Sequence, residues 1–145
     1  MIPNSRYVAL SRICLDLVPP LLVTHSSQDT DEEIIGAICY RPFYEMRFAE
    51  IAFCAVSASH QVKGYGTKLM NLLKKTMVET GIEYTFTYAD NFAIGYFLKQ
   101  GFSRSITMPK GRYYGLIKDY DGGTPMECYI HPAIDYLNVP SLLSE

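Results

Sequence analysis

The chain lacks what several common protein classes require. No apolar run reaches the length of a membrane span. The amino terminus has neither the basic start nor the clean apolar stretch of a secretory signal, so no leader is expected. Charge of one sign is scarce: 13 Lys and Arg against 15 Asp and Glu leave a net charge of −2. A dedicated nucleic-acid binder would normally be basic, so direct nucleic-acid binding is not expected. The four cysteines (Cys14, Cys39, Cys54 and Cys128) show no C-x-x-C spacing and read as reduced thiols, not as zinc ligands or disulfides. The three histidines (His25, His60 and His131) stand apart and suggest no metal site. Repeats and low-complexity segments are absent. What remains is 145 residues with 48% hydrophobic content, a single domain over residues 1–145 that can bury a real core.

Local patterns place the elements. Tyr7 to Leu17 reads as a first strand ending at Pro19-Pro20, followed by a polar, acidic hairpin loop from Thr24 to Glu33. Ile34 to Tyr40 reads as the returning strand, and Arg41-Pro42-Phe43 as a turn. Glu50 then leads into the apolar strand Ile51–Val56. Leu69, Met70, Leu72, Leu73 and Met77 recur at helical spacing, and that helix ends near Gly81. Tyr84 to Ala89 alternates Tyr or Phe with Thr, a strand by period and by propensity. Asp90 or Asn91 can cap a short helix that Gly101 terminates. Tyr113–Lys118 and Met126–Ile130 read as two final strands joined by a turn over 119–124. The expected class is α/β.

Between the apolar strand and the amphipathic helix lies Gln61-Val62-Lys63-Gly64-Tyr65-Gly66-Thr67. Strand, glycine turn and helix together form a phosphate cradle. Glycines let the backbone approach an anion, and the N–H groups of the first helical turn point at it. Lys63 adds a positive charge. The segment is not a Walker A loop, which needs G-x-x-x-x-G-K-[ST]. It is not the dinucleotide fingerprint either, because Leu69 stands where a third glycine belongs. What remains is Q-x-x-G-x-G.

That motif resembles the acetyl-coenzyme A signature of the GNAT acetyltransferase superfamily. Three further blocks make the likeness specific: Phe48-Ala49-Glu50-Ile51-Ala52-Phe53-Cys54-Ala55-Val56, the run from Thr87 through Asp90 and Tyr96 to Phe102, and the turn Ile117–Thr124. In order and spacing they resemble the catalytic domain of the nuclear histone lysine acetyltransferases of the SAGA coactivator type, over roughly residues 38–137. The resemblance implies the GNAT acyltransferase fold, a mixed, mostly antiparallel sheet with splayed central strands and flanking helices. It also implies acetyl-coenzyme A as cosubstrate, no metal, a histone-tail peptide as acceptor, SAGA/ADA-type coactivator subunits as partners, no membrane contact and a nuclear location. The chain then reads as a catalytic domain excised from a longer protein.

Chemistry and resemblance converge on Glu50. A lysine amine has a pKa of about 10.4, so at pH 7 only about one in several thousand is neutral, and removing its proton costs roughly 4–5 kcal/mol. A general base is therefore valuable, and burial beside an apolar strand raises a carboxylate toward working near neutrality. The competing reading is a strand-end glutamate paired with Arg47. The family's catalytic glutamate falls on Glu50. By the same resemblance, the backbone of Cys54, Ala55 and Val56 binds the pantetheine arm like an added strand. The Cys54 N–H would stabilise the tetrahedral oxyanion. A covalent role for the Cys54 thiol is disfavoured, because an apolar strand raises its pKa and no histidine neighbours it in sequence.

The remaining roles also come from the resemblance. Gln61 to Thr67 (Gln61, Val62, Lys63, Gly64, Tyr65, Gly66, Thr67) would take the pyrophosphate. Phe92, Ala93, Ile94, Gly95, Tyr96 and Phe97 would flank the pantetheine and the thiol end, and Tyr96 could protonate the leaving thiolate, although tyrosines so placed also serve as packing. Asp90 and Tyr120 would border the peptide groove, with helix capping an equally good role for Asp90. Two departures stand out: a long Val18–Glu33 loop containing Pro19-Pro20, and His60 where an acidic or polar residue is expected. The rival functions are a small-molecule N-acetyltransferase acting on polyamines or amino sugars, and a non-catalytic acyl-coenzyme A binding module.

Overall fold

The apolar strand around Ile51 lies inside a sheet because neither of its faces can be left in water. In the computed structural model, which describes residues 21–26, 32–56, 64–117 and 120–138, five strands cross that sheet in chain order. They are β1 (Leu21–Ser26), β2 (Glu32–Phe43), β3 (Phe48–Val56), β4 (Tyr84–Ala89) and β5 (Thr124–Tyr129). Neighbours pair antiparallel except β3 and β4, which run parallel. A parallel pair needs a crossover, and helix α1 (Tyr65–Thr80) supplies it. The short helices α2 (Ile94–Lys99) and α3 (Lys110–Tyr113) follow. The mixed, mostly antiparallel sheet flanked by helices matches the expected class. Among the described residues, no helix is long and apolar enough to cross a membrane.

Side-chain alternation sets the layers. Ala49 and Ile51 point to the α1 side, where Leu69, Met70, Leu73 and Met77 are fully buried against Ile38 and Met126. Phe48 points to the opposite face and packs with Phe86 and Met108. The helix stops at Gly81, whose φ of 78° lets its N–H close on the carbonyls of Met77 and Val78.

Several sequence expectations need correction. The strand paired with β2 is Leu21–Ser26, within what reads as loop, so the hairpin connection is shorter than Thr24–Glu33. The segment Tyr7–Leu17 lies outside the described residues. Arg41-Pro42-Phe43 continues β2 instead of turning. Pro42 stands opposite Ala49 of β3, and among the described residues it has no partner on the β1 side. The turn is made by Tyr44–Met46 and by Arg47 at φ 58°. Of the expected strand Tyr113–Lys118, the described part through Ile117 is not a strand: α3 ends there and Gly115, at φ 78°, breaks the extended run. Finally, Cys39 is disulfide-bonded, whereas Cys54 and Cys128 are free thiols. A disulfide depends on closeness in space that sequence spacing does not reveal.

Leu73 is fully buried between α1 and the sheet, so Leu73→Ala should cost about 2–5 kcal/mol in urea unfolding and lower Tm by roughly 10 °C. A loss under about 1 kcal/mol would contradict this packing.

Candidate active site

Glu50 sits where β3 is held on both sides, in register with Arg41 of β2 and Phe86 of β4. Its side chain is 8% exposed, and Oε1 lies 2.7 Å from Arg41 Nη2. The partner is thus Arg41. Arg47 instead faces Glu83 at 3.4 Å. Antiparallel neighbours directly across a ladder share a face, which gives Arg41 its reach; proximity in sequence does not.

Just past Glu50 the strand changes phase. Cys39 pairs with Phe53 and Tyr40 with Ile51, leaving Ala52 as an extra, bulged residue. Cys54, three residues after Ile51, therefore packs on the α1 side along with it. Parallel pairing with β4 runs from Phe48↔Tyr84 to Ile51↔Thr87 and then stops, while pairing with β2 continues to Val56. Beyond Ile51, β3 and β4 diverge. Among the described residues, no strand pairs with that edge of β3 beyond Ile51.

Three adjoining cavities occupy this divergence. The largest, about 590 Å³, is lined by Cys54, Ala55, Gly66, Asp90, Phe92, Ala93 and Tyr96. A second of about 400 Å³ lies at the start of α1, against Gly64, Gly66, Thr67, Gly95, Tyr96, Lys99 and Gln100. The third, about 310 Å³, is floored by Glu50 and Ile51 and rimmed by Tyr88, Asp90, Tyr120 and Asp121. Gly66 and Tyr96 line the first two cavities, and Asp90 lines the first and third.

The two cradle glycines serve different needs. Gly64 adopts φ 79° in open space, so its requirement is conformational. A Cβ on Gly66 would come within 3.1 Å of Tyr96 Cε1, so its requirement is room. That room lets the Tyr96 hydroxyl donate to the Gly66 carbonyl at 2.9 Å. The Cys54 thiol approaches the same hydroxyl at 4.0 Å. Burial pushes the Cys54 thiol up to about 11. Burial, reinforced by Cys54, also pushes the Tyr96 phenol upward. Both hold their protons at neutral pH.

Other sequence-predicted residues divide clearly. Asp90 Oδ1 accepts from the N–H groups of Phe92 (3.0 Å) and Ala93 (2.8 Å), so it caps the turn before α2 while also lining two cavities. Tyr120 stands edge-on to Tyr88 at 5.5 Å beside the Glu50 cleft. Phe92 is almost fully exposed at a cavity wall. Val56 ends β3 opposite Gly36, and Tyr65 lies under the Lys68 ammonium at 5.2 Å. Phe97 faces the core against Phe102 at 5.0 Å, and Ile94 packs beside that core, so neither lines the cavities. Gln61, Val62 and Lys63 fall outside the described residues.

Sequence reasoning missed Lys99 and Gln100. Lys99 brings a cation to the second cavity, and Gln100 Nε2 ties α2 to α1 through Thr67 Oγ1 at 3.0 Å. The signal was the helical spacing from Gly95 to Lys99, which puts both on one face. Among the described residues, no group of His, Cys, Asp or Glu could hold a metal ion.

Residues 18–102 match the model of the Acetyltransferase (GNAT) family. The chain belongs to this family. Its GNAT domain is 50% identical to a histone acetyltransferase GCN5 of Oryza sativa subsp. japonica, over 98% of this chain and 27% of that protein. The structure of Tetrahymena GCN5 superposes with a TM-score of 0.74 at 45% identity, covering 92% of this chain and 91% of that one. The catalytic domain of Tetrahymena GCN5 in complex with coenzyme A gives 0.65 at 44% identity, covering 92% and 89%. The chain spans about a quarter of the length of the curated relatives it matches.

With the Cys54 thiol raised to about 11, its alkylation by iodoacetamide should accelerate about tenfold per pH unit between roughly pH 7 and 10. Peptide mass spectrometry of the labelled site checks this. A rate that levels off near pH 8 would mean an activated thiolate and would reopen covalent catalysis.

Proposed function

We propose that this GNAT domain transfers an acetyl group from acetyl-coenzyme A to the ε-amine of a histone-tail lysine, directly, in a ternary complex. The observation that carries the reading is that Asp90 borders both the cavity at Cys54 and the cleft at Glu50. An acyl group in the one and an amine in the other are then neighbours, which is the geometry that direct transfer needs.

The residues fit coenzyme A. The β3 edge beyond Ile51 offers strand-like hydrogen bonding to an extended, amide-bearing arm. Among the described residues, no side chain caps the N-terminus of α1, and Lys99 stands beside it, a setting that suits a pyrophosphate. When bound, acetyl-coenzyme A supplies the acetyl thioester as electrophile. Glu50 then accepts the amine proton through a water. The Cys54 N–H donates to the acetyl oxygen as negative charge develops there, a contact typically worth about 3–4 kcal/mol. The Tyr96 hydroxyl, held in the cavity by Gly66, is the proton source for the departing sulfur. Asp90, Asp121, Tyr88 and Tyr120 give the cleft an acidic and aromatic rim suited to a lysine-bearing chain. The Oryza sativa relative named histone acetyltransferase GCN5 supports the histone acceptor. A nuclear location and SAGA/ADA-type partner subunits belong to the same proposal.

Coenzyme A release with histone-tail peptides tests it. Glu50→Gln, which keeps the shape and removes the base, should lower kcat by about 10²–10⁴. Tyr96→Phe should cost less than about tenfold, because a thiol with a pKa of about 8.5 leaves readily unaided. Faster turnover with free polyamines than with peptide would overturn the histone reading. Saturable cofactor binding without turnover of any acceptor would indicate a binding module.

A further inference from the structure

Arg41 is the cation that faces Glu50, and its surroundings are unusual for a surface arginine. Nη2 lies 2.7 Å from Glu50 Oε1 and 3.4 Å from the Leu116 carbonyl. The guanidinium stacks over the Phe43 ring at 5.2 Å. Its Nε is buried with no hydrogen-bond partner among the described residues. Glu50 lines the cleft, whereas Arg41 is not among its lining residues. Only Oε1 is engaged by the ion pair.

The groups facing Glu50 pull in opposite directions. From β2 comes Arg41; from β4 comes Tyr88; from the flanking loops come Asp90, Tyr120 and Asp121. Asp90 and Asp121 carry the same sign of charge as a Glu50 carboxylate. Among the described residues that face Glu50, Arg41 is the single cation, of opposite sign. A base must be ionised before it can act.

We propose that Arg41 is the positioning residue of this site: it keeps Glu50 ionised and fixes one carboxylate oxygen, leaving the other to accept the proton. The proposal rests on the reading of Glu50 as general base. It predicts that Arg41 sets the acidic limb of the pH profile, since that limb of kcat/KM reports the ionisation of the free enzyme's base.

The experiment compares kcat/KM from pH 5.5 to 9 for wild type, Glu50→Gln, Arg41→Gln, Arg41→Met and Arg41→Lys, with Tm and coenzyme A affinity establishing that each variant is folded. Removing the cation makes the carboxylate harder to ionise. The acidic limb should therefore move to higher pH by about one unit in Arg41→Gln or Arg41→Met, giving roughly tenfold lower kcat/KM near pH 6 and a smaller loss near pH 9. Arg41→Lys, which keeps the charge, should return the limb to its wild-type position. Independently of whether the variants fold, the ¹⁵Nε resonance of Arg41 in the wild-type domain should titrate with the midpoint of that limb, and Glu50→Gln should abolish this response. A limb that stays in place in the folded neutral variants, or an Arg41 resonance flat through it, overturns the proposal. If Glu50→Gln keeps wild-type activity, the base assignment falls. If Glu50→Gln is inactive and Arg41 is silent, only the role of Arg41 falls.

Discussion

Parallel pairing between β3 and β4 ends at Ile51 and Thr87 while β3 stays joined to β2 as far as Val56, and the site depends on this divergence. The β3 edge beyond Ile51 is partly exposed, so its backbone groups stand open to an extended, amide-bearing ligand in place of water. The same step places Glu50 on the paired side of the split and Cys54 on the open side. The bulge at Ala52 separates their faces, so the Glu50 carboxylate and the cavity at Cys54 occur on one short strand without competing for the same space.

The surrounding elements keep that opening from closing. Helix α1 packs on one face of the sheet through Leu69, Leu73 and Met77, all fully buried. Helix α2 is joined to α1 by Gln100 on Thr67 and by the Tyr96 hydroxyl on the Gly66 carbonyl. These polar links cross the mouth of the cavity, where apolar packing would fill it. Asp90 belongs to both the capping and the cavity walls, so one carboxylate orients the α2 turn and borders the Glu50 cleft. Fold stability and site geometry share the same atoms here.

Much of this was legible in the sequence. Helix α1 showed its apolar stripe, β4 its alternation, and Glu50 its place at the head of an apolar strand. Gly64 and Gly66 announced the cradle, although only the structure shows that one supplies a backbone conformation and the other space for Tyr96. The misses share a cause: they depend on register or on contacts between distant segments. Arg47 is nearer to Glu50 in sequence, but the antiparallel ladder sets Arg41 opposite it. The six residues of β1 follow two prolines and end in Thr, His and Ser, so they carry little periodic signal. Tyr113 and Ile117 have the side chains of a strand, yet Gly115 at positive φ breaks it. Phe97 is indistinguishable by type from a cofactor contact until the core claims it.

The central claim is that the open edge of β3, beside the start of α1, is where acetyl-coenzyme A lies. Amide hydrogen exchange with and without the cofactor tests that claim most directly. The account predicts slowed exchange at the gap-facing amides between Ala52 and Val56 and in the first turn of α1, with Phe48–Glu50, already paired on both sides, unchanged. Protection confined to other parts of the sheet, with the β3 edge exchanging as fast as in the free domain, would contradict it.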